Sequence, residues 1–441
     1  KDYYHPRYAA AGDMSKPWED YTELAGRPHP RMGWHDLSFR TRGLPVADVC
    51  VNFVQRWNHV VESRGDVRYR LLDPPAEEAM AALAQAVAAD DSHRVDQVQV
   101  VRSVGQWSAG FRVKEMSVMH AIKAAVEAAE TYVYIETQFF ISVQGDISVV
   151  NLHSREVESL ADVIAHRIKR AFLERKPFKV VMVLPVHPEG DPGDFVTQRI
   201  MYHQHKTIAH IRRTLRDDLK GHLVTADDYI TYYALSSHAL MHEPARIVQQ
   251  QIYVHAKLLV TDTTTVCGSA NLNMRSLAGD RDSEIALVVE SRAFAESLRR
   301  RLWAEHMGCA EEELLGSALA DFARWSATAK ANTHWYRALF EEACPYGDPH
   351  SFKVWTEAER ALQAHWESRS AESVAATYAE LSANVRGHLL EFPHLFLRED
   401  VHGTSDVKIS AQTLFSPASL FSFMGQLEYA AIINVREDLL Q

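Results

Sequence analysis

The sequence predicts an α/β protein whose core is a mixed β-sheet sandwiched by helices. Between residues 97 and 186, strand-like apolar runs alternate with amphipathic helical patterns, as in βαβ units. Between residues 252 and 270, two apolar runs follow each other closely enough to be neighbouring strands of a hairpin. From residue 309 onward helical periodicity dominates, which predicts a helical C-terminal extension.

The composition is that of a globular protein without a membrane span. The chain has 441 residues, of which 46% are hydrophobic, enough to bury a large core in one domain or two intimate ones. No apolar run approaches the roughly 20 residues needed to cross a bilayer, and no signal peptide opens the sequence. The four cysteines have no paired spacing, so neither a disulfide framework nor a zinc site is indicated, and a reducing compartment is favoured.

The charge balance argues against nucleic acid as a partner. The chain carries 58 acidic and 47 basic residues, a formal net charge of −11. Broad nucleic-acid binding depends on neutralising phosphates with surplus lysine and arginine. No nucleic-acid partner is therefore expected, although local basic patches are compatible with this balance.

The N-terminal part predicts one helix between two irregular segments. Residues 1–43 are rich in proline, glycine, aromatic and charged side chains, which is typical of an extended, loop-dominated segment. Pro45 then opens an amphipathic helix. Residues 64–94 combine a Pro74–Pro75 pair with an Ala-rich stretch and predict a linker without chemistry. The apolar residues at helical spacing after Pro45 are Val46, Val49, Phe53, Val54, Trp57 and Val61.

Past the linker, strands and helices alternate. Residues 98–103 alternate as a strand, residues 117–130 form a helix with one apolar stripe, and residues 132–141 predict a buried strand. A helix over 157–176 and a strand over 178–186 complete a βαβ-like unit. The remaining predictions are strands at 229–238 and 285–289 and a closing helix at 297–308.

Polar residues interrupt the strand predicted over Ile252–Val260. His255 and Lys257 are two residues apart, so on a strand their side chains share one face. Ser269 and Asn271 repeat this spacing on the next apolar run. A lone histidine, one of 23, would more simply be a satisfied strand residue, but the combination favours a site. Four polar side chains are thus predicted to line one surface.

This set of groups suits a phosphodiester substrate. An imidazole serves nucleophilic or acid–base chemistry, an ammonium and an amide bind the non-bridging oxygens, and a hydroxyl supports them. Asp262 has the opposite parity to His255 on the strand. We therefore expect Asp262 to orient its neighbours at the strand end without touching the substrate.

The pattern His255-x-Lys257-x4-Asp262, followed by Gly268-Ser269-x-Asn271, resembles the HKD motif of the phospholipase D superfamily. The family usually has six residues between the aspartate and the Gly-Ser pair. Here there are five, Thr263 to Cys267, which predicts a tightened turn between the two strands.

Segments on both sides of the motif resemble eukaryotic-type phospholipases D. They are PRM-x-WHD at 30–36, FVQRWN at 53–58, QWSAG at 106–110, YIETQFF at 134–140 and VRGHLLEFPHLFLRED at 385–400. The resemblance implies a phospholipase D-like α/β fold in three parts. Residues 1–95 would be the trailing part of a first catalytic lobe plus a linker, 96–310 a second catalytic lobe with the HKD motif, and 311–441 a mostly helical C-terminal extension.

The resemblance also implies roles for polar residues outside the motif. Glu284, in the segment RDSEIA, would accept a hydrogen bond from an imidazole of the other half of the site and fix its tautomer. Glu136 and Gln138 would help shape the pocket, although structural packing explains them equally well. His205 and Lys206 are candidates for lipid contact, with an ordinary exposed helix as the favoured alternative.

Enzymes of this family build one active site from two HKD motifs, and this sequence contains one. Its similarity begins just after the place where the first motif would end, and its first residue is Lys1 rather than methionine. We therefore expect the chain to be part of a longer one. An N-terminal lobe carrying the first motif is an expected partner.

The implied activity is that of a phospholipase D: hydrolysis of phosphatidylcholine-type phospholipids to phosphatidate and free head-group alcohol through a phosphohistidine intermediate. Transfer of the phosphatidyl group to other alcohols is also open. His255 would act as general acid and then as general base. Lys257, Ser269 and Asn271 would bind the phosphate, with no metal or other cofactor required for the chemistry. Activation by Ca²⁺ or phosphoinositide stays open, and a cytoplasmic location at the surface of phospholipid membranes is expected.

Two other interpretations compete with this one. The chain would be a catalytically silent half that binds membranes or a partner, which the absence of the first HKD motif favours. Alternatively, it would be a single-motif nuclease or phosphodiesterase in which two copies of His255 face each other across a dimer. The acidic charge counts against this last interpretation.

Overall fold

The computed structural model describes residues 32–65, 68–79, 81–82, 97–142, 159–189, 192, 195–242, 244–314 and 316–403. Several features singled out in the sequence lie outside these residues. They are Pro30 and Arg31 of the first matching segment, the linker from residue 83 to 96, and the chain from residue 404 onward.

One mixed sheet of eleven strands forms the centre of the described chain. The strands Tyr132–Thr137 and Ile230–His242 each pair parallel with Lys179–Val183, and antiparallel hairpins neighbour these pairs. The predicted mixed sheet is therefore confirmed. A separate two-stranded ladder joins β5 (Phe140–Ile141) and β11 (Leu272–Asn273). In spatial order the main sheet contains β1 (Gly33–His35), β8 (Ala245–Val254), β7 (Ile230–His242), β6 (Lys179–Val183), β4 (Tyr132–Thr137), β9 (Lys257–Thr261), β10 (Thr264–Gly268), β12 (Glu284–Glu290), β2 (Val98–Val104) and β3 (Glu115–Met116), with β13 (Leu389–Glu391) paired to β7.

Helices cover both faces of this sheet, as β4 shows. Its residues Val133 and Ile135 belong to one buried apolar cluster, whereas Tyr132 and Tyr134 belong to the other. Successive strand residues point to opposite faces, so each cluster is the core on one side of the sheet. The helices are α1 (Pro45–Arg64), α2 (Gln106–Ala109), α3 (Ser117–Ala128), α4 (Leu160–Leu173), α5 (Phe195–Asp218), α6 (Met274–Leu277), α7 (Arg292–Met307), α8 (Ala318–Phe340), α9 (Phe352–Glu367), α10 (Ala371–Asn384) and α11 (Arg398–Gly403).

Local signals explain where several helices begin and end. Pro45 occupies the first turn of α1, where a missing N–H costs nothing, and Gly65 ends the helix in the left-handed conformation at φ 60°. The hydroxyl of Ser159 accepts a hydrogen bond from the Asp162 N–H and caps α4. The apolar stripe predicted for α3 is buried, from Val118 to Val126.

The C-terminal helices pack onto the sheet. Trp325 of α8 is fully buried in one core, whereas Tyr336 of α8 and Trp366 of α9 are buried in the other. β13 then pairs with β7 through Leu389, Leu390 and Glu391. The helical extension thus contributes to both cores, while the three-part division of the chain stays a prediction. No helix among the described residues is long and apolar enough to cross a membrane.

The strand predicted over Ile252–Val260 is in fact two strands, and this corrects the sequence-based prediction. β8 ends at Val254 and β9 begins at Lys257. β7 pairs with β6 through Ile230–Tyr233, and β8 pairs with the part of β7 from Leu235 onward, which extends past the end of β6. The chain therefore crosses the ends of β6 and β4 before it enters between β4 and β10. His255 lies in this crossing.

Candidate active site

The polar residues of the motif gather at one edge of the sheet because three strands start or stop there. Lys257 is the first residue of β9, Ser269 follows the last residue of β10, and Glu284 opens β12. Leu258 pairs with Cys267, so Lys257 lies level with the end of β10. The Ser269 N–H donates to the Ile285 carbonyl at 3.0 Å, which fixes Ser269 beside Glu284.

The hairpin predicted around Asp262 is confirmed, and its turn is short. β9 and β10 pair antiparallel and are joined only by Asp262 and Thr263. The Thr261 hydroxyl accepts from the N–H of Thr264 at 3.1 Å and closes the turn. A two-residue connection agrees with the tightening that the shortened spacing predicts.

Gly268 allows β10 and β12 to approach closely just before Ser269. A Cβ atom at this position would lie 2.2 Å from the Ile285 carbonyl oxygen and 2.4 Å from the Ala286 Cβ. Both are closer than real contacts allow, so only glycine fits without a shift of backbone. The glycine of the motif thus places Ser269 next to Glu284.

His255 forms a pair with a carboxylate from the N-terminal segment. Its Nδ1 donates to Oδ2 of Asp36 at 2.7 Å. Partial burial acts to raise the pKa of Asp36, but the hydrogen bonds from His255 and the Leu37 N–H outweigh it and hold the pKa below its ordinary value. Because the ionised carboxylate can only accept, the proton lies on Nδ1 and Nε2 is left for a reacting group.

The backbone around His255 is held by the same N-terminal strand. The His35 carbonyl accepts the N–H of His255 at 2.8 Å and that of Ala256 at 3.2 Å. The Trp34 ring lies 4.7 Å from the imidazole of His255 and 4.9 Å from the ring of Tyr253. β1 and the residue after it therefore supply three supports for one histidine: the His35 carbonyl, the Asp36 carboxylate and the Trp34 ring.

Lys257 is a largely buried cation held by amide and carbonyl groups. Its Nζ donates to Oε1 of Gln138 at 2.9 Å and to the carbonyl of His255. Burial lowers the pKa of Lys257 to about 8, against the opposing charges of Asp36 and Glu284. The Nε2 of Gln138 also donates to the Tyr253 hydroxyl at 2.9 Å, and the predicted part of Gln138 in shaping the pocket stays a prediction.

Glu284 shares a hydrogen bond with the serine of the motif. The Ser269 Oγ donates to Oε2 of Glu284 at 2.5 Å, and the Ile285 N–H donates to the same hydroxyl at 3.1 Å. Burial raises the pKa of Glu284 to about 7, although the hydrogen bond from Ser269 acts in the opposite direction. This carboxyl group therefore changes its protonation state near neutral pH.

Asn271 and Asp262 lie at opposite ends of the β9–β10 hairpin. The side-chain oxygen of Asn271 is buried and has no hydrogen-bond partner within the described part of the chain. The Asp262 carboxylate accepts from the N–H groups of Glu130 and Thr131, both at 2.8 Å, at the other end of β9. Asp262 thus holds the start of β4, at the opposite end of β9 from Lys257, and its predicted role in the site stays a prediction.

Glu136 connects the site to the core through a buried network. Its carboxylate is fully buried and accepts from Nε2 of His35 at 2.8 Å, from Nε2 of His306 at 3.0 Å and from the Tyr134 hydroxyl. Burial acts to raise the pKa of Glu136, but the hydrogen bonds and charges of the two histidines outweigh it and hold the pKa far below its ordinary value. The group is an anion throughout the working pH range.

His35, Glu136 and His306 are also the one group of three potential metal ligands found among the described residues. Two imidazoles and a carboxylate are a donor set that suits zinc. Here each Nε2 donates to the carboxylate, so hydrogen bonds alone satisfy all three side chains. The prediction that the chemistry needs no metal stays a prediction.

The lipid-contact candidates lie on one helix. His205 and Lys206 belong to α5, and the ammonium of Lys206 lies 4.7 Å from the centre of the Tyr202 ring. Their predicted part in lipid binding stays a prediction.

A family model for phospholipase D matches residues 18–344. The chain belongs to the phospholipase D family. It is 30% identical to phospholipase D zeta 2 of Arabidopsis thaliana over 452 aligned residues, covering 77% of this chain and 42% of the relative. It is likewise 30% identical to human phospholipase D1, covering 91% of this chain and 38% of the relative.

The chain thus spans about two fifths of the length of these curated phospholipases D. A solved structure of phosphatidylserine synthase from Haemophilus influenzae covers 62% of the chain at 12% identity, and 59% of that structure is covered. Its TM-score of 0.32 is too low to carry an argument. The family assignment depends on the sequence match alone.

Asp36 is the site residue of this phospholipase D chain that sequence reasoning missed. It belongs to the WHD segment noted for its resemblance, but its 219-residue separation from His255 gave no local sign of contact. The available signal was the triplet Trp34-His35-Asp36 inside an otherwise irregular segment. Trp34 and Tyr253 were missed for the same reason, because only the pairing of β1 with β8 brings them together.

Proposed function

We propose that this chain forms one half of a phospholipase D active site that hydrolyses phosphatidylcholine-type phospholipids at a membrane surface. The observation that carries the proposal is the pair of His255 and Asp36 beside the buried cation Lys257. An imidazole with a fixed tautomer and a free Nε2 is suited to proton transfer. An ammonium in a partly buried site is suited to stabilising charge on a phosphoryl group.

In the first step a histidine from a second HKD motif attacks phosphorus. A P–N bond forms while the bond between phosphorus and the head-group oxygen breaks. His255, which starts this step as an imidazolium with a proton on each ring nitrogen, gives its Nε2 proton to the leaving oxygen. Lys257 and the amide of Asn271 face the non-bridging oxygens, where negative charge builds up. At a pKa of about 8, Lys257 is mostly charged at neutral pH.

In the second step water completes the reaction. His255, now neutral at Nε2, takes a proton from water while the water oxygen attacks phosphorus and the P–N bond breaks. The products are phosphatidate and a free head-group alcohol. Asp36 keeps the proton on Nδ1 in both steps, so the same nitrogen of His255 gives and receives the reacting proton.

Two features support a docking place for the lobe that carries the other motif. Among the described residues Glu284 has only the hydroxyls of Ser269 and Ser276 as donors, and its pKa is raised, so an incoming imidazole would find an acceptor there. The helix α1 buries only Ala47 and exposes an apolar face, with Phe53 57% exposed. The exposed apolar residues in and near α1 are Leu44, Val49, Phe53, Val60, Tyr69, Leu71 and Leu72.

The test is release of choline from phosphatidylcholine vesicles. The chain is assayed alone and after mixing with an N-terminal fragment that carries a first HKD motif. We expect activity on mixing, and we expect His255→Ala to reduce it by about 10²–10⁴-fold, the contribution of a positioned general acid. His120→Ala, at an exposed position of α3, is the matched control and should retain full activity.

The other outcomes discriminate the alternatives. Activity of the chain alone, together with a dimeric mass by light scattering, would favour a self-sufficient phosphodiesterase. Full activity of His255→Ala in the mixture would overturn the assignment of the site. Vesicle binding without hydrolysis in either condition would favour a catalytically silent half.

A further inference from the structure

The buried anion Glu136 lies next to the site but touches none of the groups assigned to the reaction. Its carboxylate holds three donors, two of which come from distant parts of the chain: His35 of β1 and His306 of α7. A fully buried carboxylate is stable only where its acceptor sites are filled. This arrangement fixes the ring of His35 against the sheet, where its side chain is only 11% exposed.

His35 in turn controls the geometry of the reacting histidine. Its carbonyl accepts the N–H groups of His255 and Ala256. The next residue, Asp36, holds the imidazole of His255 at 2.7 Å. β1 is a strand of three residues, and among the described strands it pairs only with β8. Through His35, Glu136 of β4 adds a side-chain link between β1 and the centre of the sheet.

We infer that Glu136 is a positioning residue: by anchoring His35 it sets the place of Asp36 and so the tautomer and orientation of His255. The inference depends on the proposed acid–base role of His255. Glu136 does not touch substrate in this scheme, and it acts only through the N-terminal strand. Removing its charge should loosen β1 and release His255 without disturbing Lys257 directly.

The test uses the chain without substrate, so it is independent of whether the chain hydrolyses lipid. In uniformly ¹⁵N-labelled protein, the wild type should show His255 with its proton on Nδ1 and slow exchange of the His255 and Ala256 amides. In Glu136→Gln we expect the Nδ1-protonated form to lose its dominance and the two amides to exchange about tenfold faster or more. The amide of Val181, at the centre of the sheet, serves as internal reference and should be unchanged.

A matched variant separates positioning from loss of a buried charge. Asp321→Asn also converts a buried carboxylate to an amide, since Asp321 pairs with Arg299 of α7 at 2.8 Å. It has no contact with β1, so the imidazole signals of His255 should remain as in the wild type. An equal change of these signals in Asp321→Asn would overturn the inference.

If Glu136→Gln does not fold, His35→Ala tests the same link from its more exposed side. It removes the anchored ring and leaves the backbone and Asp36 in place, and it should release His255 in the same way. Wild-type signals of His255 in either folded variant would overturn the positioning role. Failure of the proposed function would instead leave these spectral changes intact while vesicle hydrolysis is absent.

Discussion

Two carboxylates border the candidate site, and they differ in whether the described chain supplies an imidazole for them. Asp36 holds Nδ1 of His255, and its pKa is lowered because the hydrogen bonds outweigh the effect of partial burial. Glu284 holds only hydroxyl groups, and burial raises its pKa to about 7. One histidine–carboxylate pair is thus complete in this chain, and under the proposed function Glu284 would receive its imidazole from the other lobe.

The part of the site that contains the His255–Asp36 pair depends on Lys257 for charge as much as on His255 for proton transfer. In the reconstituted assay, Lys257→Met should lower kcat/KM by about 10²–10³-fold, because it removes a preorganised cation from the phosphoryl oxygens. Lys179→Met is the matched control, since burial lowers the pKa of Lys179 as well, at the opposite end of the sheet. Retention of more than a tenth of wild-type activity in Lys257→Met would remove the lysine from the mechanism.

A smaller effect is expected at the carboxylate of the complete pair. Asp36→Asn leaves a side chain of the same shape that can no longer hold an imidazolium, so activity should fall about 10–100-fold. The loss should appear mainly in kcat, because the pair orients His255 for proton transfer. Asp162→Asn is the control: Asp162 also binds a histidine, His210 at 2.7 Å, but on α4 and α5, and it should retain full activity. Wild-type activity in Asp36→Asn would contradict the role of the pair.

Much of the fold was predictable because its signals are local. The alternation of apolar strands and amphipathic helices, the Pro45 start of α1 and the hairpin around Asp262 each depend on residues within one or two turns of chain. The break at His255 was not predictable in this way. The run from Ile252 to Val260 has uniform strand character, and only the pairing of its two halves with different strands separates β8 from β9.

The candidate site was predictable only in part for the same reason. The motif residues Lys257, Ser269 and Glu284 gather because strands of known order end together. Asp36 and Glu136 act over sequence separations of 219 and 101 residues, through His255 and His35. Such contacts are set by the path of the N-terminal segment across the sheet, and this path cannot be predicted from the periodicity of the sequence.

The last prediction concerns Glu284, and the effect expected from it is the smallest. In the unfolded chain Glu284 ionises near its ordinary pKa of 4.5, whereas in the folded chain it does so near 7. Between these values the folded chain binds the extra proton, so the free energy of unfolding falls as pH rises through this window, and the full cost is present above pH 7. Glu284→Gln, which cannot ionise, should therefore raise Tm at pH 8 by on the order of 2 °C and leave it nearly unchanged at pH 4.

Differential scanning calorimetry at the two pH values measures this difference, and Glu290→Gln at the exposed far end of β12 serves as control. The same titration tests the comparison between the two carboxylates. Binding of a lobe that brings an imidazole to Glu284 should lower its pKa, as His255 does for Asp36, and the gain in Tm from Glu284→Gln should then vanish. A gain that persists in the active mixture would mean that Glu284 meets no imidazole, and that the two carboxylates do not serve equivalent halves of the site.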